Sequence, residues 1–312
     1  MTAATLYLPE EAEREYKAIH MLASMPFMAA RVLGPSAGLD ADFCWYVLRC
    51  KKQRLGTPGD GDIDLIAGPL ELEDQAEFVS HFVEARKERY GWHPTQVALL
   101  TAAKMAEKGC IKWPPSTNKL VAIEAQCDFK STETSEFQAA HTRARILSLL
   151  RMGFDRVALL DVIANPAVSG LDGQAWFTAL NVADLSRRAF SSDLKNRLPV
   201  NSPAGHYVWS IGAVAGGDGT ERGAGSPVEL QLAMQNPLLK DEEVKACRTA
   251  VNERLQHELG KLPAPRSLRA IFVDCEKCGQ IHSDLNVCSP SLMSAADRAS
   301  DPRDSLVPVG TR

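Results

Sequence analysis

The chain has 312 residues, of which 45% are hydrophobic and 24% are charged. These are the proportions of an ordinary globular protein with a buried core, in one large domain or two modest ones. Lysine and arginine total 35 against 39 aspartates and glutamates, which gives a formal net charge of −4. This balance excludes a protein that coats nucleic acid through a global excess of positive charge, so nucleic-acid contacts would have to come from local basic patches.

The N-terminal segment has four glutamates within residues 10–15, where a secretory signal would have a basic start and an apolar run. No segment approaches the length of about 18 apolar residues that a membrane span needs. We therefore expect a cytoplasmic protein without a membrane partner. A homo-oligomer or a protein partner is left open, and the cysteines are expected to be mostly reduced, since a chain of this size needs no disulfides.

The pattern along the chain predicts alternating strands and helices. Residues 9–25 favour a helix, and two strands at 43–50 and 62–67 flank the turn-rich segment GTPGDG. Apolar residues at helical spacing, among them Phe78, Val79, Phe82 and Val83, indicate helices within 71–118. The later elements are a strand at 120–127, a helix at 135–152, a strand at 156–164, a helix at 174–190, strands at 206–215 and 228–235, a helix at 241–260 and a strand at 267–274.

This alternation predicts a three-layer α/β fold around a mixed central sheet. We divide the chain into four parts. They are a core at 1–165 with a helical insertion at 71–118, an α/β extension of the same sheet at 166–274, a candidate zinc-binding element at 275–288, and a tail at 289–312. The tail is rich in Ser, Asp, Arg and Pro, which predicts disorder.

Carboxylates follow two of the predicted strands. Asp62 and Asp64 are two residues apart in GDIDLIA (61–67), and Glu124 and Gln126 are two apart in LVAIEAQ (120–126). Residues two apart on a strand project from the same face, roughly 6–7 Å from each other. If the two strands are neighbours, their carboxylates meet at one point, as suits the oxygen-ligated ions Mg²⁺ and Mn²⁺. The alternative is an edge strand with a solvated polar face.

The order of helix, strand, GDIDLIA strand, LVAIEAQ strand, helix and strand resembles the PD-(D/E)XK nuclease superfamily, in particular its restriction-endonuclease-like and Holliday-junction-resolvase-like members. The resemblance spans about residues 9–164. It implies a restriction-endonuclease-like core and a metal-dependent nuclease that acts on DNA. The long separation between the two carboxylate strands then requires the helical insertion at 71–118.

By this resemblance Asp64 and Glu124 bind Mg²⁺ or Mn²⁺, with Asp62 as an additional ligand. Gln126 stands where the family has a lysine, and it would orient water without supplying a positive charge. Lys130, just beyond the strand, is a candidate to supply that charge instead. A glutamate of the first helix, Glu11 or Glu15, would join the site.

Two basic groups lie near these strands and could contact the phosphate backbone of DNA without reading its sequence. The alternative is a solvated cationic face that balances an acidic protein. The candidates are Lys51, Lys52 and Arg54 before the aspartate strand, and His141, Arg143 and Arg145 on the following helix, together with Lys130.

The C-terminal region carries Cys275, Cys278, His282 and Cys288. Three thiolates and an imidazole are the ligands that a structural, tetrahedral Zn²⁺ prefers. Reduced cysteines without a metal are the alternative.

Two further functions are open at this point. The DID triplet followed by a strand glutamate also occurs in nucleotidyltransferases, although the Gly-Ser pair that normally precedes it is not in place. A nuclease-like core that has lost catalysis would serve as a nucleic-acid-binding or protein-binding module.

Overall fold

The elements of the fold are given by a computed structural model, which describes residue 19 and residues 44–57, 59, 61–92, 94–128, 135–164, 197–199, 201–211, 228–266, 270–275 and 280–282. In chain order they are β1 (Cys44–Lys51), a 3₁₀ helix (Lys52–Leu55), β2 (Asp62–Pro69), α1 (Gln75–Glu88), α2 (Pro94–Glu107), β3 (Val121–Asp128), α3 (Ser135–Arg151), β4 (Arg156–Ala164), β5 (Gly205–Ile211), β6 (Val228–Gln231), a 3₁₀ helix (Pro237–Lys240), α4 (Glu242–Gly260), β7 (Ile271–Asp274) and β8 (Ile281–His282).

The eight strands of the described residues form one mixed sheet in the order β6-β5-β4-β3-β2-β1-β7-β8. Strands β1, β2 and β3 are antiparallel neighbours, whereas β4 is parallel to β3 and β5 is parallel to β4. Helix α3 makes the connection from β3 to β4, because parallel neighbours cannot be joined by a tight turn. The prediction of an α/β fold around a mixed sheet is confirmed, and the two carboxylate strands are neighbours in it.

Apolar side chains are buried on both faces of this sheet. One set joins a cluster with α3 and α4, which contribute Leu149 and Leu255 among others; its strand members include Trp45, Val47, Ile66, Ala122, Val157, Leu159 and Phe272. The residues between them in sequence are buried as well: Tyr46, Leu48, Leu65, Ala67, Val121, Ile123, Ala158 and Leu160. Since successive strand residues point to opposite faces, both faces are shielded from water. The four described helices all contribute to the first set, so the three-layer arrangement stays a prediction.

Asp155 fastens α4 to the start of β4. Its Oδ2 accepts the backbone N–H of Leu120 at 2.8 Å, and its Oδ1 lies 2.7 Å from Nη1 of Arg248 on α4. Its backbone carbonyl accepts the N–H of Asn236 at 2.8 Å. One residue therefore joins the segment before β3, the segment before the second 3₁₀ helix, and α4.

Helices α1 and α2 lie between β2 and β3, within the segment expected to be helical. Asp74 caps α1 by accepting the Glu77 N–H at 2.9 Å, which satisfies a backbone donor that the first turn leaves free. An isolated antiparallel β-bridge pairs Leu72, before α1, with Ile111, after α2, so the two ends of this segment lie side by side.

The apolar stripe predicted for α1 is only partly buried. Phe78 is 8% exposed and Phe82 packs against the core, whereas Val79 and Val83 are about half exposed. Spacing alone identifies a helix, but it does not show how wide a face the rest of the protein covers.

Strand β6 is shorter than predicted and ends at Gln231 instead of residue 235. Residues 232–236 belong to neither a strand nor a helix. Asn236 Nδ2 donates to the carbonyls of Leu150 and Phe154, and its Oδ1 accepts the Leu238 N–H, which caps the 3₁₀ helix that follows the predicted strand. The two-residue strand β8 was not predicted, because a strand that short leaves no pattern.

Several predictions fall outside the described residues: the helix at 174–190, most of the helix at 9–25 with Glu11 and Glu15, Lys130, Cys278, Cys288 and the tail at 289–312. Ile19 is described and is 1% exposed. Among the described helices, none has the length and apolar character to cross a membrane.

Gly68 lies opposite Trp45 in the β1–β2 register, so a substitution there tests the packing on this sheet. A Cβ at this position would lie 2.3 Å from the buried Trp45 ring. We expect Gly68→Ala to lower the free energy of unfolding by roughly 1–3 kcal/mol, because the ring or the strand must move. Chemical denaturation measures this change.

The matched control is Gly260→Ala at the end of α4, where a Cβ would meet nothing closer than 3.9 Å. It should stay within about 0.5 kcal/mol of the parent protein. Equal stability of Gly68→Ala and the parent would contradict the contact with Trp45.

Candidate functional site

Asp64 and Glu124 come together where the ladder between β2 and β3 ends. Leu65 pairs with Ile123, so the same register puts Asp64 opposite Glu124. Here the Asp64 side chain takes the place of a ladder carbonyl, because its Oδ2 accepts the Ala125 N–H at 2.8 Å. Both carboxylates are buried, with 3% and 5% of their residue surface exposed.

Arg145 of α3 pairs with both carboxylate oxygens of Glu124. The Nε of Arg145 lies 2.5 Å from Oε1 of Glu124, and the Nη2 of Arg145 donates to Oε2 at 3.1 Å. The same Nη2 donates to the backbone carbonyl of Asp62 at 3.0 Å and lies 3.6 Å from its Oδ1. A residue that the sequence suggested for DNA backbone contacts is therefore part of the carboxylate cluster.

Lys52 enters the same site from the 3₁₀ helix after β1. The residue is 4% exposed, and its Nζ donates to Oγ of Ser148 on α3 at 3.2 Å. The sequence placed Lys52 on a basic surface with Lys51 and Arg54, but the structure separates the three. Arg54 forms an ion pair with Asp274 and donates to the carbonyl of Cys275, so its guanidinium binds the C-terminal end of β7.

Burial dominates the ionisation of these groups. Loss of water, and after it the charge of Glu124, raises the pKa of Asp64 well above its usual range. Burial also raises the pKa of Glu124, although Arg145 opposes the shift. Burial and then the charge of Arg145 lower the pKa of Lys52, against the pull of the three carboxylates. The fold therefore holds Asp64, Glu124 and Lys52 where burial disfavours the charged form of each.

Gln126 is held at both ends of its amide. Its Nε2 donates to Oγ1 of Thr142 at 2.6 Å, and its Oε1 accepts from Nη1 of Arg197 at 3.0 Å. Arg197 is buried and also forms an ion pair with Asp161. In the structure Gln126 thus links β3 to α3 and to Arg197, whereas the sequence assigned it to water alone.

The polar network continues across the sheet. Asp161 pairs with Gln126 in the β3–β4 register and is fully buried. Its Oδ2 lies 2.6 Å from Nε2 of His206 on β5, which is 3% exposed. A polar strip therefore runs from Asp64 on β2 to His206 on β5.

The remaining candidates are spread over several places. About a third of the Asp62 side-chain surface is exposed, at the mouth of the carboxylate cluster. His141 and Arg143 are exposed on α3. Lys51 donates its backbone N–H to Oδ2 of Asp274 at 3.2 Å.

For the zinc hypothesis, Cys275 is buried, and its N–H donates to the Gln280 carbonyl at 2.9 Å. This bond joins the end of β7 to the start of β8, and His282 lies in β8. Within the described ranges no group of three or more His, Cys, Asp and Glu side chains could hold a metal ion, and this applies both to the cysteine element and to the carboxylates.

A divalent cation would nevertheless match the donors of the carboxylate cluster in kind. Asp64 and Glu124 offer only oxygen atoms, the ligands that Mg²⁺ and Mn²⁺ take. Asp64 Oδ2 accepts the Ala125 N–H, which leaves Oδ1 without a hydrogen-bond partner among the described residues. Glu124 is already neutralised by Arg145, so a cation would share or replace that guanidinium.

No family model, curated protein or solved structure matches this chain.

Three polar residues around the site carry no motif that sequence reasoning could use: Thr142, Ser148 and Arg197. Asp161 had one usable signal, since it is the only charged residue between Val157 and Ala164 in an otherwise apolar strand. A buried strand carries a charge only where a partner meets it.

Asp64 makes stability depend on pH in a defined direction. Its folded-state pKa lies above the unfolded value of about 3.9, so the folded protein holds a proton that the unfolded chain releases. This stabilisation is complete below about pH 4 and is lost as the pH rises through the folded-state pKa. We expect Asp64→Asn, which keeps an oxygen for the Ala125 N–H, to match the parent Tm near pH 4. At pH 8 it should exceed the parent Tm by at least about 2 °C.

Thermal melts in EDTA between pH 4 and pH 8 measure this difference. The control is Asp241→Asn, at an exposed helix cap whose acceptor role asparagine retains. Its Tm should stay close to that of the parent. A Tm of Asp64→Asn below that of the parent at pH 8 would contradict the raised pKa of Asp64.

Gln126→Leu tests the amide link by removing its polar atoms at nearly constant size. We expect it to lower the free energy of unfolding by about 1–3 kcal/mol, because Thr142 and Arg197 each lose a buried partner. Gln256→Leu on the exposed face of α4 is the matched control and should change the stability little. Chemical denaturation of both variants decides, and equal stabilities would show that the amide bonds contribute nothing.

Proposed function

We propose that the protein is a metal-dependent nuclease that hydrolyses phosphodiester bonds of DNA. The observation that carries the proposal is the buried pair of Asp64 and Glu124, with Asp62 at its edge. The fold keeps these carboxylates together although burial and like charge raise the pKa of the central one. Titratable groups perturbed in this way cluster at functional sites, and a bound cation would offset the accumulated negative charge.

The order of the strands supports this proposal. The antiparallel run β1–β2–β3, then α3, then β4 parallel to β3 follows the order that the PD-(D/E)XK resemblance implies. In this arrangement the aspartate strand and the glutamate strand are adjacent, and α3 follows the glutamate strand directly. The position of the carboxylates in the topology, and not only their spacing in sequence, agrees with the resemblance.

In the proposed enzyme Asp64 and Glu124 hold the metal, and Asp62 is an additional ligand. The bound metal would lower the pKa of the attacking water and neutralise charge on the phosphate. The Ala125 N–H fixes the Asp64 carboxylate, and Arg145 fixes that of Glu124. The exposed side chains of His141 and Arg143 lie on the same helix as Arg145 and are available to contact the DNA backbone.

A second candidate is a nuclease-like module that binds nucleic acid or protein without cleaving. The observation that favours it is the two-point ion pair between Arg145 and Glu124. A guanidinium already gives Glu124 the positive charge that a metal would otherwise bring, and Gln126 has both amide atoms engaged.

Incubation of the purified protein with plasmid, linear duplex and single-stranded DNA separates the candidates. The nuclease proposal expects cleavage that needs Mg²⁺ or Mn²⁺ and stops in EDTA. Asp64→Asn and Glu124→Gln should each lower the rate by at least about 100-fold, because each removes charge from the metal site. Gel analysis of initial rates under saturating metal measures the effect.

Glu242→Gln, on the exposed first turn of α4, is the control and should cleave like the parent. Asp64→Asn is expected to be folded and stabilised, so its loss of cleavage cannot be attributed to misfolding. Binding of DNA without cleavage of any form under either metal would favour the second candidate. Incorporation of a labelled nucleotide would point to nucleotidyl transfer instead.

A further inference from the structure

Lys52 brings a positive charge into the carboxylate cluster and retains donors that the protein does not use. An ammonium group has three N–H donors. Within the described part of the chain, Ser148 is the one hydrogen-bond partner of Nζ, at 3.2 Å. With 4% of its surface exposed, Lys52 is buried. Two of the three donors therefore remain for another acceptor.

The backbone holds Lys52 in this place. Its N–H donates to the Gly61 carbonyl at 3.4 Å, and its carbonyl accepts from the Thr57 hydroxyl at 2.9 Å. These bonds bring the turn before β2 close to the 3₁₀ helix that carries Lys52. The side chain then runs from the end of β1 toward α3, beside the start of β2, where Asp62 and Asp64 lie.

The two cations of the cluster, Arg145 and Lys52, differ in the partners that they bind. Arg145 has its guanidinium on Glu124 and on the Asp62 carbonyl, so it serves to neutralise and orient. Gln126 is neutral and is occupied by Thr142 and Arg197. Among the described residues, Lys52 is therefore the cation of this site that forms no ion pair with the carboxylates.

We propose that Lys52 binds a non-bridging oxygen of the substrate phosphate and supplies the positive charge at the reacting phosphorus that Gln126 cannot supply. This inference rests on the proposed nuclease function. A phosphate oxygen accepts the two donors that the protein leaves unused, and a fixed ammonium stabilises the negative charge that develops there during attack by water. In this role Lys52 touches substrate, and Ser148 is a positioning residue that orients it.

Single-turnover cleavage in saturating Mn²⁺ tests the role of Lys52. Lys52→Met keeps most of the aliphatic stem and removes the charge, and we expect it to lower the rate by at least about 100-fold. Lys52→Ala leaves space for a small cation, so ethylammonium should restore part of its rate whereas ethanol should not. The control is Lys245→Met on α4, which removes an exposed charge outside the site and should cleave like the parent.

Binding of a short duplex in Ca²⁺, followed by fluorescence anisotropy, separates this inference from the proposed function. If the parent does not cleave, the nuclease proposal fails, and Lys52 is judged on binding alone. Weakening by Lys52→Met of about tenfold or more then supports a phosphate contact, and unchanged affinity overturns it.

If the parent cleaves, a rate of Lys52→Met within about threefold of the parent overturns the role of Lys52 and leaves the nuclease proposal standing. The role of Lys52 is also overturned if Lys52→Ala cleaves slowly and ethylammonium restores the rate no better than ethanol. A positive charge would then not be what the variant lacks. Thermal melts of both variants show which of them is folded, and the folded variant decides.

Discussion

The ion pair between Arg145 and Glu124 is the interaction on which the polar interior depends. Two carboxylates on neighbouring strands would repel each other in a buried position, and the guanidinium reaches both Glu124 and Asp62 from α3. It also holds α3 against β2 and β3, so packing and charge balance are coupled. A buried charge costs several kcal/mol unless it is paired, and this pairing allows Asp64 and Glu124 to exist side by side.

The same rule explains the strip that continues from Gln126 to His206. Gln126, Asp161 and His206 lie on three successive strands of the sheet, and Arg197 joins the first two through hydrogen bonds and an ion pair. Each member has a partner, which is what a low-dielectric interior requires. The strip makes β3, β4 and β5 depend on one another, so a change at Gln126 is expected to act on stability before it acts on chemistry.

The charge arrangement bears directly on the two candidate functions. A site that is neutralised entirely by its own arginine suits a scaffold, whereas a site that keeps one carboxylate unneutralised and one ammonium with free donors suits catalysis. Asp64 retains an oxygen without a hydrogen-bond partner among the described residues, and Lys52 retains two donors. One of these unused groups is an oxygen acceptor and the other is an N–H donor in the same cluster, as expected where a cation and a phosphate are to bind together.

The sequence by itself determined the α/β class, most strand and helix positions in the described residues, and the candidacy of Asp64 and Glu124, because periodicity and a polar residue in an apolar strand are local signals. Only the tertiary structure decided which basic residues join the site. Lys51, Lys52 and Arg54 are nearly contiguous, yet a 3₁₀ helix directs Lys52 to Ser148 and Arg54 to Asp274. Arg145 and Gln126 likewise depend on how α3 and Arg197 pack across β3. Such partners lie far apart in sequence, so their identity follows from strand order and helix packing and not from any local pattern.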